Sequence, residues 1–353
     1  MKKLLFFAFF PFFTITLAQP PSGYYDPANG LNGTALQAAL HNIIDNHDVQ
    51  SYNSLHDHFE STDRKPNGTV WDMYSDVPGG NPPYTFNFTS GDQCGNYNGE
   101  GDCYNREHSW PKSWFNDMSP MYSDLFHLYP TDGYVNGRRS NHPYGTVSSA
   151  SWTSENGCKL GNCNYPGYSG TVFEPIDAYK GDFARTYFYM STRYYNEDNN
   201  WPGSDMADGS QLRPWALAMM KDWHLSDPVS QKEIDRNNAV YQIQENRNPF
   251  IDHPEFVAQI WGGTTDIEQL TYNSDISVYP VPATDHCIID HHNYYDQNQL
   301  SVTLSDVTGR QYVVDFSTSN GVIRVNTDPL VHGFYFITVS EPGKYPAFAR
   351  LLK

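Results

Sequence analysis

Asn105-Arg106-Glu107-His108-Ser109-Trp110-Pro111-Lys112-Ser113 is the stretch on which the fold turns. Two runs complete it: Asp124-Leu125-Phe126-His127-Leu128-Tyr129-Pro130 and Gly133-Tyr134-Val135-Asn136-Gly137-Arg138-Arg139-Ser140-Asn141. Together they set a carboxylate beside an imidazole, then a carboxamide, among the cationic side chains of Arg106, Lys112, Arg138 and Arg139. Between Cys103 and Asn141 four Lys/Arg balance four Asp/Glu, so the segment is neutral. The whole chain carries a formal charge of −18, from 22 Lys/Arg and 40 Asp/Glu. Such an acidic protein is a poor general polyanion binder, so handling nucleic acid would need a local cationic site and a metal.

Metal-assisted phosphodiester hydrolysis requires a base for water, a hard cation on the phosphate oxygens and cationic donors. His108 suits the base, because imidazole titrates near neutral pH. Glu107 and Asn136 offer the oxygen donors that Mg²⁺ prefers, with Mn²⁺ or Ca²⁺ as alternatives. Neighbours on a strand point to opposite faces, so Glu107 and His108 share a site only if the strand ends or bends, and Trp110-Pro111 supplies a break. Taken bare, a Glu-His dipeptide is a weak signal.

Working outward, the chain has 353 residues, 15% of them aromatic, far too many for a disordered polymer. Residues 24–265 read as one domain rich in helices and long loops. Thr34-Ala35-Leu36-Gln37 has capping-box form, and Leu36, Leu40, Ile43 and Ile44 then share a helical face. Further helices are expected over 182–194, 212–224 and 228–244, and a strand over Thr69–Tyr74. After a linker at 266–276, residues 277–353 turn into short strands at about ten-residue spacing, including 300–304, 311–314, 321–325 and 333–339, which argues for a small all-β sandwich. The overall class is α+β.

Residues 1–18 read as an export leader: Lys2 and Lys3, an apolar run from Leu4 to Leu17, then Ala18. The run is too short to span a membrane, and no later span is expected. In an oxidising compartment Cys94 with Cys103, and Cys158 with Cys163, read as two local disulfides, leaving Cys287 over.

The motifs quoted above resemble the bacterial endonuclease I family of secreted or periplasmic non-specific nucleases. Glu174-Pro175, Lys180-Gly181-Asp182-Phe183-Ala184-Arg185-Thr186 and Asn246-Arg247-Asn248-Pro249-Phe250 extend the resemblance over roughly 24–262. It implies a ββα-metal core, His108 as general base, Glu107 and Asn136 as ligands of one Mg²⁺, and an arginine on the scissile phosphate chosen among Arg106, Arg138, Arg139 and Arg185. His127, Asn141 and Glu174 are candidates for support around the site, each as readily structural. The tail, with Val278-Tyr279-Pro280-Val281-Pro282-Ala283, Leu304-Ser305-Asp306-Val307-Thr308-Gly309-Arg310 and Ala349-Arg350-Leu351-Leu352-Lys353, resembles the sorting domain of type IX secretion. The cluster His286-Cys287 with Asp290-His291-His292 lies in that tail, away from the catalytic motifs, and is set aside as a metal site.

The implied function is a secreted, Mg²⁺-dependent endonuclease, monomeric, acting on DNA and RNA to give 5′-phosphate ends, with the type IX machinery as its partner in export. Two alternatives remain: an RNA-restricted nuclease with the same site, and a non-catalytic polysaccharide-binding surface module.

Overall fold

The computed structural model describes residues 20–262, 276–291, 300–306, 310–319, 322–340 and 347–353; the leader read over 1–18 and nearly all of the linker read over 266–276 lie outside them. The chain divides into two units, Met1–Asp266 and Ile267–Lys353, each with its own apolar core.

The first unit runs α1 (Gly33–Ile44), α2 (Leu55–Thr62), β1 (Tyr104–His108), β2 (Leu128–Asp132), α3 (Gly133–Arg139), β3 (Val147–Thr153), β4 (Lys159–Cys163), β5 (Thr171–Glu174), α4 (Lys180–Arg193), a short pair β6 (Ala207–Asp208) and β7 (Gln211–Leu212), α5 (Pro214–Ser226), α6 (Gln231–Gln244), α7 (Pro249–Asp252) and α8 (Phe256–Trp261). All 14 residues of α4 are buried, which makes it the central post of the unit. Its charged side chains are buried with partners: Lys180 donates to Glu174 at 2.7 Å, Asp182 accepts from Lys232 at 2.6 Å, and Arg185 pairs with Glu233. Burial of such groups is tolerated because each is hydrogen-bonded.

Local chemistry accounts for most boundaries and corrects two. The capping box lies on α6, where Ser230 and Glu233 bond reciprocally. On α1 the N-cap is Asn32, and Gln37 reaches instead to the Ser191 carbonyl and to Gln211, each at 3.1 Å. Thr69–Tyr74 forms no strand; it is turn and irregular backbone that still sends Val70, Met73 and Tyr74 into the core.

β1 and β2 are antiparallel, in register from Tyr104 opposite Asp132 to His108 opposite Leu128. The chain passes from β2 directly into α3, whose first turn is capped by the Asp132 carboxylate accepting from the Val135 amide at 2.8 Å. This is a ββα unit. A disulfide between Cys94 and Cys103 closes the loop that leads into β1. The pairing expected of Cys158 with Cys163 is not formed: both are free and buried. They bracket the extended β4, and five residues of strand at about 3.3 Å each hold them far beyond the Cα separation a disulfide allows.

The second unit holds two four-stranded antiparallel sheets built from β8 (Ile276–Tyr279), β9 (His286–His291), β10 (Ser301–Asp306), β11 (Gln311–Val313), β12 (Phe316–Ser319), β13 (Val322–Asn326), β14 (Phe334–Ser340) and β15 (Ala347–Leu352), in the orders β11-β10-β14-β15 and β12-β13-β9-β8. Alternate residues such as Val302, Leu304, Ile337 and Val339 fill the core between them. Cys287 points into that core while its neighbour His286 pairs with Asp285 at 2.8 Å, so strand alternation separates two members of the tail's His/Cys cluster. His292 and the His291 side chain lie outside the described residues.

Candidate active site

Strand alternation gives β1 two working faces. Asn105 and Glu107 face α3, whereas Arg106 and His108 face Tyr52 and Tyr122. On the α3 side, Asn136 donates its amide to Asn105 Oδ1 at 2.7 Å. One turn later Arg139 donates to Glu107 Oε1 at 2.8 Å and to the His108 carbonyl at 2.9 Å, and it also reaches the Ser109 carbonyl. The Tyr74 hydroxyl adds a second bond to the same Glu107 oxygen at 2.9 Å, and Tyr144 backs both Tyr74 and the Arg139 guanidinium. Burial pushes the Glu107 carboxyl up, while Arg139 and Tyr74 pull it back towards ionisation.

His108 sits on the other face, 6% exposed, among Tyr52, Tyr122, Phe115 and His127. Its Nε2 lies 3.1 Å from the Tyr122 carbonyl, which can only accept, so Nε2 carries the proton and Nδ1 keeps the lone pair. Burial first, then the neighbouring His127 and the cations of Lys112 and Arg106, holds its pKa well below the ordinary value. A neutral imidazole with one committed nitrogen is a base ready for use. β1 does end at His108, yet Glu107 and His108 still leave it on opposite faces, and their neighbours are different residues.

The four candidate arginines separate by burial. Arg139 is 1% exposed and serves as the clamp on Glu107 and on the carbonyls at the end of β1. Arg185 is fully buried, tied to Glu233, the Asp227 carbonyl and His224, where it staples α4 to the helices beside it. Both guanidiniums are enclosed by protein partners, although Arg139 Nε is left without one. Arg106 and Arg138 are the accessible pair. Arg106 lies 3.9 Å over the Tyr52 ring on the His108 side, and Arg138 is exposed on α3.

His127 is fully buried 5.4 Å from the His108 ring and bonds the Met121 carbonyl at 2.7 Å, so it supports that face from behind. Glu174 belongs elsewhere, joining Lys180 and the Val147 amide. Asn141 is exposed in the turn after α3. Sequence reasoning missed Asn105, Tyr74, Tyr144, Tyr52 and Tyr122. Only Asn105 left a trace, lying two residues before Glu107 and so on the same strand face.

The oxygens on the α3 face fit a hard cation. Both bonds to Glu107 fall on Oε1, leaving Oε2, and the Asn136 amide is turned by Asn105 so that its carbonyl oxygen is left to coordinate. A second group, His41, Asp45 and Glu197, brings ligand atoms within 4.8 Å of one another, but Arg193 already occupies Glu197 at 2.9 Å, and none of the motif residues takes part.

The family model described as Endonuclease I matches residues 32–255, and the one described as Secretion system C-terminal sorting domain matches residues 277–347. An extracellular ribonuclease of Bacillus amyloliquefaciens is 35% identical over 254 residues, covering 70% of this chain and 81% of its own. The extracellular ribonuclease of Bacillus subtilis (strain 168) is 34% identical over 250 residues, covering 67% and 78%. Endonuclease-1 of Buchnera aphidicola subsp. Acyrthosiphon pisum is 29% identical over 130 residues, covering 36% and 44%.

Proposed function

The chain belongs to the endonuclease I family and carries a type IX secretion sorting domain, and from that premise we propose that it is an exported, metal-dependent endonuclease that cleaves RNA and DNA without sequence preference and leaves 5′-phosphate ends. The observation that carries this reading is the state of His108: a neutral imidazole with Nε2 committed to a carbonyl and Nδ1 free to take a proton from water.

A phosphodiester lying across the end of β1 meets His108 and Arg106 from one face and Glu107 and Asn136 from the other. Arg106, held over the Tyr52 ring and anchored to the Tyr52 carbonyl at 2.8 Å, is placed to bind the scissile phosphate. Glu107 and Asn136 would hold Mg²⁺, or Mn²⁺ or Ca²⁺ in its place, and the ion would neutralise charge on the phosphate oxygens. Arg139 and Asn105 touch no substrate; they hold those two ligands in place. Water activated by His108 would attack in line with the 3′ oxygen, which departs and leaves the phosphate on the 5′ side.

One observation favours a narrower reading: the two relatives matched over more than three quarters of their length are named ribonucleases. The test is to incubate the purified protein with matched RNA and DNA strands, with and without chelator, and to read the end groups. Cleavage of both that stops with chelator and leaves 5′-phosphates supports the proposal. Cleavage of RNA alone selects the narrower reading, and full activity in excess chelator ends the metal assignment.

A further inference from the structure

We infer that Tyr134, Arg138 and Trp152 form a platform for an unpaired nucleobase and its phosphate beside the catalytic strand, so that single-stranded nucleic acid is the favoured substrate. This rests on the nuclease reading above.

Tyr134 and Arg138 are four residues apart on α3 and therefore share a face. The Arg138 guanidinium lies 5.2 Å from the Tyr134 ring centre and 5.5 Å from that of Trp152, and it donates to the Tyr134 hydroxyl at 3.0 Å. Trp152 comes from β3, where Ser148, Ser149, Ala150 and Ser151 are all exposed; its indole packs in part against the core and keeps a partly exposed ring beside Arg138. Arg138 has no carboxylate partner within ion-pair distance among the described residues, nor has Arg106 on the other side of the site. In a chain with 40 acidic residues, two unneutralised guanidiniums flanking one strand mark where an anion is received.

The platform is continuous with the site. The Tyr97 ring lies against α3 and meets Tyr134 edge-on at 6.3 Å. It can lie there only because positions 133 and 137 are glycine: a Cβ at Gly133 would fall 2.6 Å from the Tyr97 ring, and one at Gly137 would fall 2.4 Å from its hydroxyl. The same Gly133 position is 3.4 Å from the amide of Asn105, the residue that orients Asn136. An aromatic path thus leads around α3 from the metal ligands through Tyr97 to Tyr134 and Trp152. Bases expose their faces to such rings only when unpaired, and each stacked base contributes about 1–3 kcal/mol, or roughly 5- to 150-fold in binding. The arginine suits the accompanying phosphate.

The test compares the full mature chain with Trp152→Ala on a single strand, on the same sequence as duplex, on an all-abasic strand and on a small nitrophenyl phosphodiester. Wild type should prefer the single strand to both the duplex and the abasic strand. The variant should lose about tenfold or more in kcat/KM on the single strand, through KM, and should change less than about twofold on the abasic strand and the small diester. Arg138→Gln should flatten the salt dependence of single-strand binding by about one unit of slope. An equal loss on every substrate would make Trp152 structural and overturn the platform. So would a wild type that cuts the abasic strand as fast as the normal one, a comparison that stands even where the variant fails to fold. A wild type that hydrolyses the small diester but no nucleic acid would remove the nuclease reading itself.

Discussion

Asn105 decides more at the residue scale than its modest place beside Glu107 and His108 suggests, because it takes the Asn136 amide nitrogen and so leaves the carbonyl oxygen for the proposed cation site. Asn105→Ala should raise the Mg²⁺ concentration needed for half-maximal cleavage by about 10- to 100-fold, with smaller loss at saturating metal. A metal titration checks it, and an unchanged midpoint would detach Asn105 from the site. Asp124 is a second such residue, on the structural side. Burial alone would raise its pKa, but His47, His127, Gln244 and the Phe126 amide outweigh burial and hold it at about 2. Its folded pKa is depressed, so its contribution is present above the unfolded value near 3.8 and is lost as pH falls towards 2. Asp124→Asn should therefore lower stability at neutral pH by on the order of 2 kcal/mol and flatten the decline below pH 4, read by denaturant unfolding at several pH values.

The cysteines give the clearest test at the scale of elements. Four residues of extended β4 separate Cys158 from Cys163, so the unreduced, denatured protein should present three thiols, from Cys158, Cys163 and Cys287, with Cys94 and Cys103 joined. One thiol per chain would mean that β4 is not extended as described. Spacing in sequence could not distinguish the two pairs, because it is blind to whether the intervening residues turn or extend. The same blindness explains Thr69–Tyr74, whose aromatic and β-branched content reads as a strand although its backbone turns. Helices were legible where apolar periodicity was strong, as on α1, and α4 was legible although it is buried on every side. The ββα order was implied by the family resemblance that the motif residues carry. What no pattern carried was the partition of the arginines: Arg138 and Arg139 are adjacent in sequence, yet one is exposed on aromatics and the other clamps Glu107 from inside.

At the scale of the whole molecule, the two units have separate cores, and the motif residues all belong to the first. Residues 19–276 should keep the specific activity of the full mature chain, while a cell lacking 277–353 should fail to deliver the protein outside. A loss of cleavage beyond about tenfold, roughly 1.4 kcal/mol of transition-state stabilisation, would give the tail a part in catalysis or folding. The central claim rests on one imidazole, and His108→Ala tests it most directly. The variant should still fold, with a Tm lowered by the lost packing among Tyr52, Phe115, Tyr122 and His127, and should bind Mg²⁺ as before, because Glu107 and Asn136 stand on the opposite face of β1. Its turnover on nucleic acid should fall by about 10²–10⁴. A folded His108→Ala protein that cleaves at the wild-type rate would contradict the account.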